Sequence, residues 1–128
     1  MVSPSQAFGR RAENLAEQML RKKGYHIVEK NLRLAGGELD LIAEDQGTLV
    51  FIEVKARRGN QFGGTPYAIT TRKKQQLAKL AQFYLSQKEL RHKPCRFDAI
   101  LVIETNEHSA QLTHIEQAFE VPSSAWQW

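Results

Sequence analysis

The sequence predicts a mixed α/β sandwich with the element order α-β-β-β-α-β-β. Three observations lead there. Helical apolar spacing occurs twice, over residues 4–23 and 71–87. Two strand-like runs flank the polar turn Glu44-Asp45-Gln46-Gly47. A further run rich in β-branched and apolar residues, Cys95 to Glu104, follows the second helix, which therefore serves as a crossover.

Taken in order, Ser3 is the expected cap of the first helix, with Pro4 in its first position and Gly24 just beyond its end. Phe8, Ala12, Leu15, Ala16, Met19 and Leu20 form its apolar stripe. Tyr25 to Leu34 reads as a strand, and Gly36-Gly37 turns the chain into a hairpin. Gly59 to Pro66 reads as a loop. Thr71 is read as the cap of a second helix that runs to about Gln87, with Leu77, Ala78, Ala81, Tyr84 and Leu85 inward. Gln111 to Glu116 is a shorter last strand. Residues 119–128, with Trp126 and Trp128, carry no readable pattern, and the expectation is one domain spanning residues 1–128.

The hairpin holds the unusual chemistry. Glu53 and Lys55 end the run Thr48 to Lys55, which otherwise looks buried on both faces. Charges there cost several kcal/mol, on the order of 3–5, unless paired or bound to a cation. Strand alternation puts Glu38, Asp40 and Ile42 on one face of the first strand, and Leu49, Phe51, Glu53 and Lys55 on one face of the second. If Gln46-Gly47 form a two-residue loop, Asp45 pairs with Thr48, Asp40 faces Glu53, and Glu38 faces Lys55. A four-residue loop makes Asp40 and Glu53 diagonal neighbours, and an odd loop without a bulge would separate them. Two carboxylates so placed suit a hard cation, Mg2+ or Mn2+, and Lys55 would lie beside it.

These residues resemble the core motif of the PD-(D/E)xK nuclease superfamily: Asp40, a hairpin, then Glu53-x-Lys55. The wider pattern resembles the YraN-like family of small bacterial proteins, itself similar to archaeal Holliday junction resolvases. The matching stretches are Gly9-Arg10-Arg11-Ala12-Glu13, Gly24-Tyr25, Asn31-Leu32-Arg33, Gly37-Glu38-Leu39-Asp40-Leu41-Ile42, Phe51-Ile52-Glu53-Val54-Lys55-Ala56-Arg57, Arg72-Lys73-Lys74-Gln75, Phe97-Asp98 and Ala118-Phe119. The resemblance implies a restriction-endonuclease-like three-layer sandwich around a mixed sheet. It further implies a Mg2+- or Mn2+-dependent endonuclease hydrolysing phosphodiester bonds of DNA to leave a 5′-phosphate; branched or repair intermediates, nicked or flapped DNA, single strands and RNA all stay open as substrates.

Glu13 matches the first-helix glutamate that completes the acidic site in such nucleases, giving Glu13, Asp40, Glu53 and Lys55 as the catalytic set and the three carboxylates as metal ligands. Its competing reading is a surface glutamate in a helical ion-pair network with Arg10 and Glu17. Glu38 is either a third ligand or the salt-bridge partner of Lys55; its place opposite that lysine favours pairing, and in both readings it supports the site. The counterpart of Lys74 would sit near the scissile phosphate, with Gln75 beside it; an exposed place at the helix start is the competing reading for both. Arg57, Arg58, Arg72, Lys73 and Lys74 are the nucleic-acid-binding candidates.

Charge distribution agrees. The net charge is +4, but Val54 to Lys88 holds eight basic residues and no acidic one, as suits a phosphate backbone. Lys79 and Lys88, taken alone, read as a solvated helix face. The rival function is a non-catalytic nucleic-acid-binding module on the same scaffold; a protein-interaction subunit is a third. A junction-cutting enzyme would need two active sites, hence a homodimer.

Other chemistries find little support. Single Cys95 excludes an internal disulfide and a cysteine zinc site. His26, His92, His108 and His114 lack metal spacing and read as structural or exposed. Asp98 reads as structural, paired with Arg96. No apolar run approaches membrane-spanning length and Met1-Val2-Ser3-Pro4 lacks secretory character, so a cytoplasmic protein with no membrane partner is expected.

Overall fold

The computed structural model describes residues 3–59, 69–106 and 109–121. Helix α1 spans Pro4–Lys22 and starts as its sequence dictates. Ser3 Oγ accepts from the Gln6 amide at 3.2 Å, and Gln6 Oε1 accepts from the Ser3 amide at 2.9 Å, so each satisfies an otherwise orphaned donor. Strands β1 (His26–Leu34), β2 (Gly37–Asp45) and β3 (Thr48–Arg58) follow, then α2 (Thr71–Gln87), β4 (Cys95–Asn106) and β5 (Ser109–Phe119). The expected element order holds. The α2 cap is Thr70 rather than Thr71: its hydroxyl accepts from the Lys73 amide at 3.1 Å. Strand β5 is longer than expected, because its pairing with β4 continues from Ser109 opposite Asn106 to Phe119 opposite Phe97. The loop read from Gly59 and the tail holding Trp126 and Trp128 fall almost wholly outside the described residues.

The strands form one sheet in the order β1-β2-β3-β4-β5. Only the β3–β4 pair is parallel, and α2 makes its crossover. Between β2 and β3 the two-residue loop is real: Gln46 and Gly47 have φ of 51° and 88°, the pair of positive angles a tight hairpin needs. Pairing runs from Asp45–Thr48 to Leu41–Ile52.

A helix covers each face. Leu77, Leu80, Ala81, Tyr84 and Leu85 of α2 pack on Leu39, Ile42, Leu49, Phe51 and Phe97. The rings of Phe51, Phe97 and Phe119 stack in series at 5.4 and 4.8 Å. On the other face, Ala12, Ala16 and Leu20 of α1 meet Leu41, Ala43, Val50, Ile52, Ile100 and Val102. No helix among the described residues is long and apolar enough to cross a membrane.

Alternation breaks once in β2. Leu39 and Ile42 face α2, whereas Leu41 and Ala43 face α1, so the strand changes phase at Asp40. Opposite, Asn31 of β1 adopts φ 49°, a left-handed angle asparagine tolerates better than most residues. Ile42 therefore does not share a face with Glu38 and Asp40, contrary to strict alternation.

Asp98 is wholly buried and ties the sheet to the end of α1. It accepts from Arg96 Nε (3.0 Å), the Gln117 amide (2.9 Å) and His114 Nε2 (2.7 Å). Arg96 also reaches Tyr25 Oη (2.7 Å) and Asp45 (3.3 Å), and Lys23 Nζ lies 2.7 Å from His114 Nδ1. The Asp98–Arg96 pairing read from sequence is present, and His114 is structural as expected. Burial alone would raise the Asp98 carboxyl; hydrogen bonds from His114, Arg96 and Gln117 outweigh it and hold the group below the usual range. Asp98→Ala should therefore lower stability by about 3 kcal/mol at neutral pH, since it takes the shared buried acceptor from Arg96, His114 and the Gln117 amide. A depressed carboxyl stabilises the fold above about pH 4 and loses that contribution below it. Urea melts should show the gap between variant and native protein narrowing in acid.

Candidate functional site

Past Leu41–Ile52 the β2–β3 ladder stops, and the strands part. Asp40 does not pair with Glu53 across the ladder, as the simple register predicts. Instead its Oδ2 accepts from the Val54 amide at 2.9 Å, satisfying a donor that the parting strands would otherwise leave unpaired. The sequence places a short acceptor at the fork, and that acceptor stays half-buried.

Around Asp40 the acids gather. Glu13 from α1, and Glu38 and Asp40 from β2, each bring an oxygen within 4.8 Å of the others, a span that one cation can bridge. Glu38 does not pair with Lys55. It faces Arg33 on β1 at 3.5 Å, because β2 has left β3 by this point and stays paired only with β1. Asn31, in the orientation that satisfies its side-chain amide, donates to Glu13 at 2.7 and 3.2 Å and to Glu38 at 3.3 Å. Asparagine is disfavoured inside strands, which was the available signal for Asn31.

Glu53 stands beside this group, with its side chain 13% exposed, and lies 3.8 Å from Lys73 Nζ of α2. Lys55 is half-buried and its charge favours ionised Glu53 from further away. The proton affinities reflect crowding. Burial first, then the charges of Asp40 and Glu38, push Glu13 up to about 7, against the Asn31 hydrogen bond and Arg10. Burial and then Asp40 push Glu53 to about 7, against Lys73 and Lys55. Burial also raises Asp40, opposed by the Val54 amide and Lys73. Closely set carboxylates that hold protons near neutrality lack enough positive charge of their own. With hard oxygen donors, partial burial and a shared focus, Glu13, Glu38 and Asp40 fit a divalent cation.

The expected basic residues divide. Lys73, not Lys74, meets the carboxylates, because Leu80 packs inward and turns the Lys73–Leu77–Leu80–Tyr84 line onto β2 and β3. Lys74 Nζ sits 5.9 Å from the centre of the Phe119 ring on β5. Gln75 is exposed, and it is Gln76 that reaches the sheet, donating to the Gly36 carbonyl at 2.8 Å. Arg57 bends onto the Ala56 carbonyl (2.8 Å), and Arg58 lies over the Phe8 ring at 4.5 Å. Arg72 is exposed beside Lys73.

Fold and site together describe an α/β protein with an acidic cluster of cation-binding size at a fork between two strands. Residues 12–102 match the family described as "Uncharacterised protein family UPF0102", and the chain belongs to that family, the YraN-like one its motifs resemble. It is 40% identical over 115 residues to a UPF0102 protein of Symbiobacterium thermophilum, covering 90% of this chain and 98% of that one. It is 47% identical over 97 residues to a UPF0102 protein of Magnetococcus marinus, covering 75% and 78%. Among solved structures, Pyrococcus furiosus SfsA in complex with Ca2+ is similar over 91% of this chain and 65% of that one, at 15% identity and a TM-score of 0.41.

A raised carboxyl stabilises the fold below the ordinary glutamate range and withdraws that contribution as pH climbs through its folded value, here about 7. Glu13→Gln should melt with the native protein near pH 4.5 and above it at pH 8, in chelator. The gain is roughly 1 kcal/mol after discounting for solvent screening. A variant less stable at pH 8 would contradict this crowding.

Proposed function

We propose that the chain is a metal-dependent endonuclease of restriction-endonuclease-like fold that hydrolyses phosphodiester bonds of DNA. The observation that carries the reading is the convergence of Glu13, Glu38 and Asp40 from two elements at the β2–β3 fork, with Glu53, Lys55 and Lys73 alongside. Beyond the Val54 hydrogen bond to Asp40, the fold gains nothing from crowding acids there, whereas phosphodiester hydrolysis has a use for each of these groups.

Glu13, Glu38 and Asp40 would hold Mg2+ or Mn2+, and Asn31 would orient the first two. A divalent cation so held supplies charge neutralisation at the phosphate and lowers the pKa of water. Glu53, balanced near 7, is suited to accept the proton of the attacking water. Lys55 and Lys73 would face the charge that develops on the phosphate. Arg57, Arg58 and Arg72 would neutralise phosphates on either side. Lys74 and Gln75 have no part at the acidic cluster in this reading.

The test is a cleavage panel of labelled branched, single-stranded and duplex DNA with Mn2+, Mg2+ or chelator. Native protein should cut only with metal, and Glu53→Gln should lose on the order of a hundredfold in rate while still binding. Asp40→Asn, which keeps an acceptor for the Val54 amide, should abolish the stabilisation that Mn2+ gives native protein, about 2.7 kcal/mol at hundredfold excess over Kd and read as a rise in Tm. Binding without cutting by every substrate would leave the non-catalytic module instead.

A further inference from the structure

The basic residues of α2 border a groove of about 730 Å3 between the amino-terminal half of that helix and the β1–β2 turn. Gly36, Arg72, Lys73, Gln75, Gln76 and Lys79 line it, and none of the described lining residues is acidic. We infer that this groove binds successive phosphates of the nucleic-acid strand next to the acidic cluster. The inference rests on the nucleic-acid reading above and adds where one flank of the strand lies.

Spacing supports it. Arg72, Gln76 and Lys79 stand four and three residues apart, so they share one face of α2. At 1.5 Å per residue they span about 10 Å. One strand of a duplex carries a phosphate every 3.4 Å or so along the axis, so that length meets about three. Lys73 joins the groove to the cluster, because the same ammonium lines the groove and lies 3.8 Å from Glu53.

Charge supports it further. Six cations elsewhere, Arg11, Arg21, Lys30, Arg33, Lys93 and Arg96, each sit on a carboxylate, whereas the basic residues of the groove are gathered on one helix face. Arg72 and Lys79 are exposed and have no carboxylate within ion-pair distance among the described residues. The wall opposite is built rather than incidental, since Gln76 Nε2 donates to the Gly36 carbonyl at 2.8 Å. The remaining N–H of that amide, between the two cations, suits a phosphate oxygen. Lys79, dismissed alone as solvated surface, becomes the far end of a track.

The test compares native protein, Arg72→Gln/Lys79→Gln, and the charge-matched control Lys22→Gln/Lys88→Gln. All four positions are exposed. Affinity for a labelled single strand and its duplex is measured in chelator, by fluorescence anisotropy, between about 50 and 200 mM salt. The groove variant should lose roughly tenfold or more in affinity, and the slope of log K against log salt should shrink by about 2. The control should keep the native slope, and the Mn2+-dependent rise in Tm should be equal in all three. If native protein binds and cuts DNA while the groove variant matches it, or while the control falls equally, the groove assignment is overturned and the nuclease reading stands. If native protein binds neither strand nor duplex, the nucleic-acid reading fails and takes the groove with it.

Discussion

One hydrogen bond, from the Val54 amide to the Asp40 carboxylate, governs the functional end of the molecule. Two strands that part must leave backbone donors without partners, and a half-buried orphan amide costs on the order of 1–3 kcal/mol. Asp40 removes that cost with its side chain and lets β3 run on to Arg58 beside β4. The same contact fixes the carboxylate at the mouth of the fork. Glu38, two residues earlier, remains with β1 and so turns towards Glu13 rather than Lys55. Architecture and chemistry thus share an atom.

Assembling acids there is unfavourable, and the fold meets the cost in several small ways. Asn31 donates to two of the carboxylates, Arg33 sits on one of them, and Lys73 approaches Glu53 from the other face of the sheet. The remaining imbalance shows as carboxyls that keep their protons well above the usual acidity. By contrast the Asp98 cluster is fully compensated, with Arg96, His114 and the Gln117 amide all turned to one buried carboxylate. Buried acids therefore occur here in two kinds, one stabilising and one held short of counter-charge.

What could be read from the chain alone was whatever depends on neighbours in sequence. The Ser3-Pro4 start of α1, the Gln46-Gly47 turn and the pairing register that follows from it are local consequences of residue chemistry. So is the Arg96–Asp98 pair, two residues apart on one strand. The departures have two causes. Strict alternation was assumed through Asp40, but Asn31 and Asp40 together shift the phase by one residue, which moved Ile42 to the other face and freed Glu38 from Lys55. Leaving Leu80 out of the inward stripe rotated α2 far enough to choose Lys74 over Lys73. Contacts between elements distant in sequence, such as Asn31 with Glu13, carry no periodic signal at all.

Gly37 has an importance its size conceals. A methyl group there would lie 2.7 Å from Gln76 Nε2 and 3.2 Å from a Leu80 methyl. The distance between α2 and the start of β2 is therefore gauged by a residue with no side chain. Lys73 rides on that helix and Glu38 follows that glycine, so the close packing of Gln76 and Leu80 over Gly37 lies between the two halves of the site. A side chain at this single position would first push the Gln76 amide off the Gly36 carbonyl, loosening the tie between helix and turn without altering one charged group.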